Sequence, residues 1–219
     1  MVLVLGPKDV KGLITIKDAV DAMEQGFLDW SKNDWLAELR QRIHSPQGVR
    51  LTVHIGAPDS ANAIGTLLHT EKIVINEDKR QTYSHRGARV RVIYEGENGG
   101  LLSIQVGELE VEELPGVNQN VVIPTSCATA VGTKWLAKKN SKTVGILGSR
   151  GQARGQLAAV KAAMPDIEEA FVFSPNEDNR KRYAGSMAQI LGMKVTAVDT
   201  AREAVEGMDI CLLYTSDAA

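Results

Sequence analysis

Apolar residues in the stretch TIKDAVDAMEQGFLDWSK recur at helical spacing, which places Val20, Met23, Phe27 and Trp30 on one face. Thr15 and Asp18 stand just ahead at capping-box separation, so a helix is predicted to begin there. Between 36 and 110 the period shortens to two. In ARVRVIYEG, Val90, Val92 and Tyr94 point to one side of a strand and Arg89 and Arg91 to the other. The tract EGENGG then turns the chain into LLSIQV, where Leu102, Ile104 and Val106 share a face, and the pair reads as a hairpin of an antiparallel sheet.

A third rhythm follows ELPGVNQNVVIP, a stretch whose glycine and prolines suit a linker. TSCATAVGTKWLAKKN (125 to 140) is predicted to be a small-residue helix. Strands KTVGILG, EAFVFS, KVTAV and DICLL then alternate with helices QARGQLAAVKAAM, NEDNRKRYAGSMAQILG and AREAVEG. That alternation implies right-handed crossovers and a parallel sheet. The expected fold class is α/β: part of a Rossmann, doubly wound parallel-sheet domain (123–219), preceded by an α+β domain with an antiparallel sheet (1–122). The terminal CLLYTSDAA reads like a translated sequencing-library adapter, so residues 211–219 are expected to be non-native and the chain a fragment.

Composition narrows the function classes. Of 219 residues, 43% are apolar and 24% charged, an ordinary globular mix, and no apolar run approaches the roughly 18 residues of a membrane span. The start MVLVLGPKDVKG has no basic region and no cleavage site, so no signal peptide is expected and the cytoplasm is the default. A net charge of −2 with both signs interspersed gives no footprint for nucleic acid or acidic lipid, and DKRQTYSHR (78 to 86) reads as a solvated loop. Cys127 and Cys211 are too few for a disulfide framework or a structural zinc site and read as buried thiols; no metal is expected.

The chemistry is concentrated in GILGSRGQARG. Gly148-Ser149-Arg150-Gly151-Gln152-Ala153 follows a strand and opens a helix as the dinucleotide fingerprint G-x-G-x-x-G/A does, but Arg150 occupies the middle glycine position. Its guanidinium can clasp a phosphate oxygen if it swings outward, and the helix N-terminus behind it offers N–H groups to an anion. The alternative is a plain strand-to-helix turn. At the end of the next strand stand Ser174-Pro175-Asn176, with Arg180, Lys181 and Arg182 in the following helix. No carboxylate there repels a 2′-phosphate, which favours NADP slightly over NAD. The competing reading makes Arg180 to Arg182 the wet face of a helix.

The order of these motifs, from LGPKDVKGLITIKDAVDAMEQGF through TSCATAVGTKWLAKK, VGILGSRGQARGQLAAVKA and VFSPNEDNRKRYA to AREAVEGMDI, resembles the ornithine cyclodeaminase and mu-crystallin family. The resemblance implies a homodimer, an N-terminal domain for substrate and dimer contacts, and a Rossmann domain for NAD or NADP. It implies hydride transfer at the C–N bond of a small amino acid or cyclic imine. Thr125 joins the cofactor candidates on the same ground.

Carried over position by position, the likeness thins at the substrate. Cyclodeaminating members have an arginine where this chain has Pro124 and a lysine where it has Leu67, while the carboxylate-binding arginine corresponds to Arg42, or to Arg40 in another alignment. The acidic residue that handles the substrate amine is expected beyond residue 219. Arg42, His69 and Glu71 are therefore the catalytic candidates, since strand alternation aims positions 69 and 71 at one face; the plainer reading is a half-buried histidine beside a surface glutamate. His44, His54 and His85 have no partner identifiable from sequence. These losses argue against ornithine as substrate and keep a mu-crystallin-like binder of NADPH and a small ligand as the alternative; the third reading is a fragment without activity, its half-built sheet exposing an apolar edge.

Overall fold

The computed structural model describes all residues except 33–36, 80, 110, 116, 118 and 214–219. The chain divides into two compact units, one made of 1–11 and 25–109, the other of 12–24 and 110–219.

The first unit is built on an antiparallel sheet. In chain order its strands are β1 (Leu3–Leu5), β2 (Gln41–His44), β3 (Val49–Gly56), β4 (Ala63–Ile75), β5 (Gln81–Arg86), β6 (Val90–Glu95) and β7 (Leu101–Val106). They are arranged β1-β7-β6-β4-β3-β2, with β5 also paired to β4; only β1 runs parallel to its neighbour. The predicted hairpin is present, with Val90 opposite Val106 and Val92 opposite Ile104. The stretch read as a solvated loop contains β5 instead: its side chains are exposed as expected, but its backbone is engaged by β4.

Two faces follow from the pleat. Leu51, Val53, Leu68, Val90, Val92 and Ile104 lie on one, together with Ile43, Ile55, Ile64 and Leu102, which remain exposed. Arg42, Thr52, His69 and Arg91 lie on the other. A short helix, α1 (Pro7–Val10), follows β1.

Helix α2 (Ile16–Lys32) starts at the predicted capping box: Thr15 N donates to Asp18 Oδ2 at 2.9 Å and Asp18 N donates to Thr15 Oγ1 at 3.1 Å. Its predicted apolar face holds only in the first half. Ile16 and Val20 are buried, but Phe27 and Trp30 are exposed and Asp29 is buried in their place. Asp29 accepts from Ser60 N at 3.0 Å and from Gln25 Nε2 at 2.7 Å, and these bonds hold its carboxyl below the usual range.

The second unit contains α3 (Gln119–Leu136), β8 (Thr143–Leu147), α4 (Gly151–Ala163), β9 (Glu169–Phe173), α5 (Glu177–Leu191), β10 (Lys194–Ala197), α6 (Ala201–Val205) and β11 (Ile210–Leu213). Its parallel strands are ordered β10-β9-β8-β11, the 3-2-1-4 arrangement of a doubly wound sheet. Val144, Ile146 and Val172 from the strands and Leu157, Val160 and Met187 from the helices are almost fully buried and make the core. The stretch read as a linker is largely structural: α3 already begins at Gln119, carrying Pro124 in its second turn, and Leu114 is fully buried. Cys127 is buried, which pushes its thiol up to about 11. Cys211, also expected inside, is exposed on the β11 side facing away from the core. β11 pairs Cys211, Leu212 and Leu213 with Gly145, Ile146 and Leu147; the rest of the suspected tail lies outside the described residues.

Candidate functional site

At the carboxyl end of β8 the backbone turns sharply into α4. Gly148 has φ +120°, a region that side chains rarely enter, and its N–H donates to Phe173 O at 2.8 Å. Arg150 is the extended N-cap of α4, exposed, with no side-chain cap bond. The amides of Gly151, Gln152 and Ala153 lie in the first turn and have no acceptor within the helix. Ser149 Oγ donates to Ser174 Oγ at 2.9 Å, which in turn donates to Asn176 O at 3.3 Å, so the two strand ends are tied together. Asn176 caps α5 by accepting from Asn179 N at 2.8 Å.

These elements enclose a cleft of about 630 Å³. Gly148, Ser149, Arg150, Gly151, Gln152, Ala153, Ser174 and Asn176 all line it, and Phe173, Pro175 and Ala201 add apolar wall. The mixture suits a dinucleotide: free amides and a guanidinium for the diphosphate, apolar surface for a flat ring. The remaining two sequence candidates lie elsewhere. Thr125 is exposed on α3 and its hydroxyl donates to Val121 O at 3.0 Å. Arg180 is buried rather than on the wet face of α5; it donates to Ser174 O at 3.3 Å and to Asp199 Oδ1 at 2.7 Å. Lys181 and Arg182 are the exposed members of that basic run.

Two further glycines support the site and carried no motif. A Cβ on Gly155 would collide with the Val122 and Ser126 side chains of α3, and one on Gly145 would strike the Ala204 carbonyl of α6. Helix-to-helix and helix-to-strand spacing around the turn therefore requires both. The signal available in the sequence was the small-residue run itself, which on its own does not say which glycine is the contact.

In the first unit, Arg42, Thr52 and His69 stand opposite one another across β2, β3 and β4. His69 stacks on His54, with centroids 5.6 Å apart, a partner that the sequence did not reveal. Burial lowers the pKa of both rings, reinforced by Arg40, Arg42 and Arg89 around His54 and by Arg89 and Arg50 around His69, where Glu71 pulls the other way. Glu71 is buried and bound by Arg50 through Nε at 3.2 Å and through Nη2, with Arg86 at 3.7 Å. Burial would raise its pKa, but the Arg50 bond and charge outweigh that and hold it low. Glu71 thus fixes Arg50 in place. Among the described residues no three metal-ligating side chains gather, and no helix is long and apolar enough to cross a membrane.

A parallel 3-2-1-4 sheet with a glycine turn at the strand where the order reverses defines a Rossmann-type unit, and the other unit is a largely antiparallel α+β one. The chain belongs to the ornithine cyclodeaminase/mu-crystallin family, whose profile it matches over residues 2–219. It is 32% identical over 95 residues to a Delta(1)-pyrroline-2-carboxylate reductase of Bacillus cereus, a match covering 43% of this chain and 29% of that protein. Among solved structures it resembles Thermococcus litoralis Delta(1)-pyrroline-2-carboxylate reductase in complex with NADH and L-proline, at 26% identity and TM-score 0.71, covering 95% of this chain and 60% of the other. It also shares the fold of an archaeal alanine dehydrogenase dimer with bound NAD, at 21% identity and TM-score 0.69, covering 93% and 57%. The chain therefore spans about 60% of the length of these solved relatives.

Proposed function

We propose that this chain carries the cofactor and substrate surfaces of an NAD(P)-dependent enzyme that transfers hydride at the C–N bond of a small amino acid or cyclic imine. The observation that carries this reading is the cleft at the β8–α4 turn, where Gly148, the first amides of α4 and the Ser149–Ser174 link converge. Bound nicotinamide would supply the hydride acceptor or donor. The chain's own residues do the rest: Gly151 to Ala153 amides and Arg150 hold the diphosphate, and Arg42 holds a substrate carboxylate. His69, opposite Thr52 and on the same face as Arg42, is the imidazole placed to handle a proton.

On this reading residues 1–122 serve substrate and dimer contacts and 123–219 the cofactor. The relatives hold NADH or NAD. In this chain the end of β9 offers Ser174 to Asn176 and no carboxylate, which supports tolerance of a 2′-phosphate and a slight preference for NADP. The exposed apolar face of the sheet, with Ile43, Ile55, Ile64 and Leu102, fits a second copy, making a cytoplasmic homodimer. Pro124 and Leu67, in place of polar family residues, favour a second reading: a mu-crystallin-like carrier of NADPH and a small ligand with little turnover.

The protein separates the two when mixed with NADPH and a panel of cyclic imines, or with NADP and amino acids. Consumption or formation of reduced nicotinamide with any member supports the enzyme. Binding of NADPH without turnover across the panel supports the carrier.

A further inference from the structure

We infer that the polar face of the antiparallel sheet binds a doubly charged organic anion, an amino or imino acid with a second carboxylate in its side chain. As the substrate class of the cofactor site, this rests on the reading above; as a binding property of the sheet, it stands on the residues of that face alone.

Three buried polar groups on this face have no hydrogen-bond partner among the described residues: Thr52 Oγ1, Arg89 Nε and Gln105 Nε2, in residues 1%, 7% and 7% exposed. Their side is fixed by register. Thr52 faces His69, Gln105 faces Arg91, and Arg89 precedes Arg91 by two residues. Leaving such groups unmatched is unfavourable, because each has lost its water without gaining a partner. The Arg89 and Gln105 groups are pure donors, so what satisfies them must present acceptor oxygens.

Donors sit at two places. Arg89 and Gln105 lie on the β6–β7 side, whereas Arg42 lies on β2, exposed and without an acidic partner among the described residues. β2 and β6 are three strand spacings apart, roughly 14 Å between backbones. Cationic and N–H donors approaching from both sides match a small molecule with an anionic group at each end better than one with a single carboxylate.

The acids of the face point the same way. Glu71 is bound by Arg50 and Arg86, Glu108 by Arg89 Nη1 at 3.2 Å, and Glu95, at the far end of β6, accepts from Asn62 Nδ2 at 3.1 Å and Asn98 N at 3.0 Å. Each is already engaged, so a diamino acid meets arginines and no unengaged carboxylate beside the two histidines among the described residues. Beyond burial, which disfavours protonation of both rings, Arg40, Arg42 and Arg89 make the field around His54 positive, while at His69 the charge of Glu71 opposes Arg89 and Arg50.

The test is titration of the 219-residue chain with succinate, butyrate and ornithine, read by the ring-proton NMR signals of its histidines. Succinate is expected to saturate at a concentration at least tenfold below butyrate or ornithine, to move the His54 and His69 signals with His85 unmoved, and to raise the midpoints of the first two. R42Q, and the near-isosteric T52V and Q105L, are each expected to weaken succinate at least fivefold. Equal affinity for succinate and butyrate, ornithine binding as tightly as succinate, or insensitivity to R42Q and Q105L overturns the proposal. NADH binding in the same samples separates the two readings. NADH binding without succinate preference defeats this inference alone, and succinate selectivity without NADH binding leaves the anion site standing while the cofactor reading falls.

Discussion

Gly148 carries the turn alone among the fingerprint positions, because only there does the backbone have a positive φ. Arg150 fits the middle place because it is the extended N-cap of α4, a conformation open to any residue. G148V is expected to weaken nicotinamide dinucleotide binding at least tenfold, measured by calorimetry, since the turn must rearrange. R150G should retain binding and weaken NADPH by only a few fold. Gly155 is a packing position: G155A is expected to destabilise the fold by about 1–3 kcal/mol in urea unfolding, because α3 and α4 must separate to admit the methyl. The paired histidines give a pH signature. Folded pKa values below the ordinary 6.5 of a histidine mean the unfolded chain binds more protons, so stability is full above about pH 6.5 and declines as pH falls through the lowered folded values. H54Q with H69Q is expected to flatten that decline in denaturation midpoints.

The elements read most clearly from sequence were those with one dominant period. The strands and helices of the parallel unit were legible because continuous apolar strands alternate with helices; N176A, which removes the side-chain cap of α5, is expected to cost about 1 kcal/mol in thermal unfolding. The β6–β7 hairpin was legible from alternation and the glycine turn. Misreadings came where long-range contacts decide. Phe27 and Trp30 keep the helical period, yet the buried polar bonds of Asp29 to Ser60 and Gln25 set the inward side of α2. Leu114 and the start of α3 were hidden by glycine and proline signals in a segment that the core nonetheless encloses. β5 was hidden by its charge, because an exposed strand can be polar on both sides. At the site, the glycine turn and the 174–176 strand end were visible as local pattern. The His54–His69 stack and the burial of Arg180 were not, since both depend on strand register or on a neighbouring strand end.

For the whole molecule, the proposed dimer rests on the sheet's apolar face. Val4, Ile43, Ile55, Ile64 and Leu102 are all more than a third exposed on one side of a single sheet, which is the kind of surface a second copy covers. Sedimentation is expected to report a dimer, and L102E with I55K to report a monomer at the same concentration. The central claim is the dinucleotide cleft, and calorimetric titration of the chain with NADPH and then NADH tests it most directly. The account predicts saturable binding of at least one coenzyme, abolished by G148V in a variant whose circular dichroism is unchanged. No heat of binding from either coenzyme, or binding that G148V leaves intact, would contradict it.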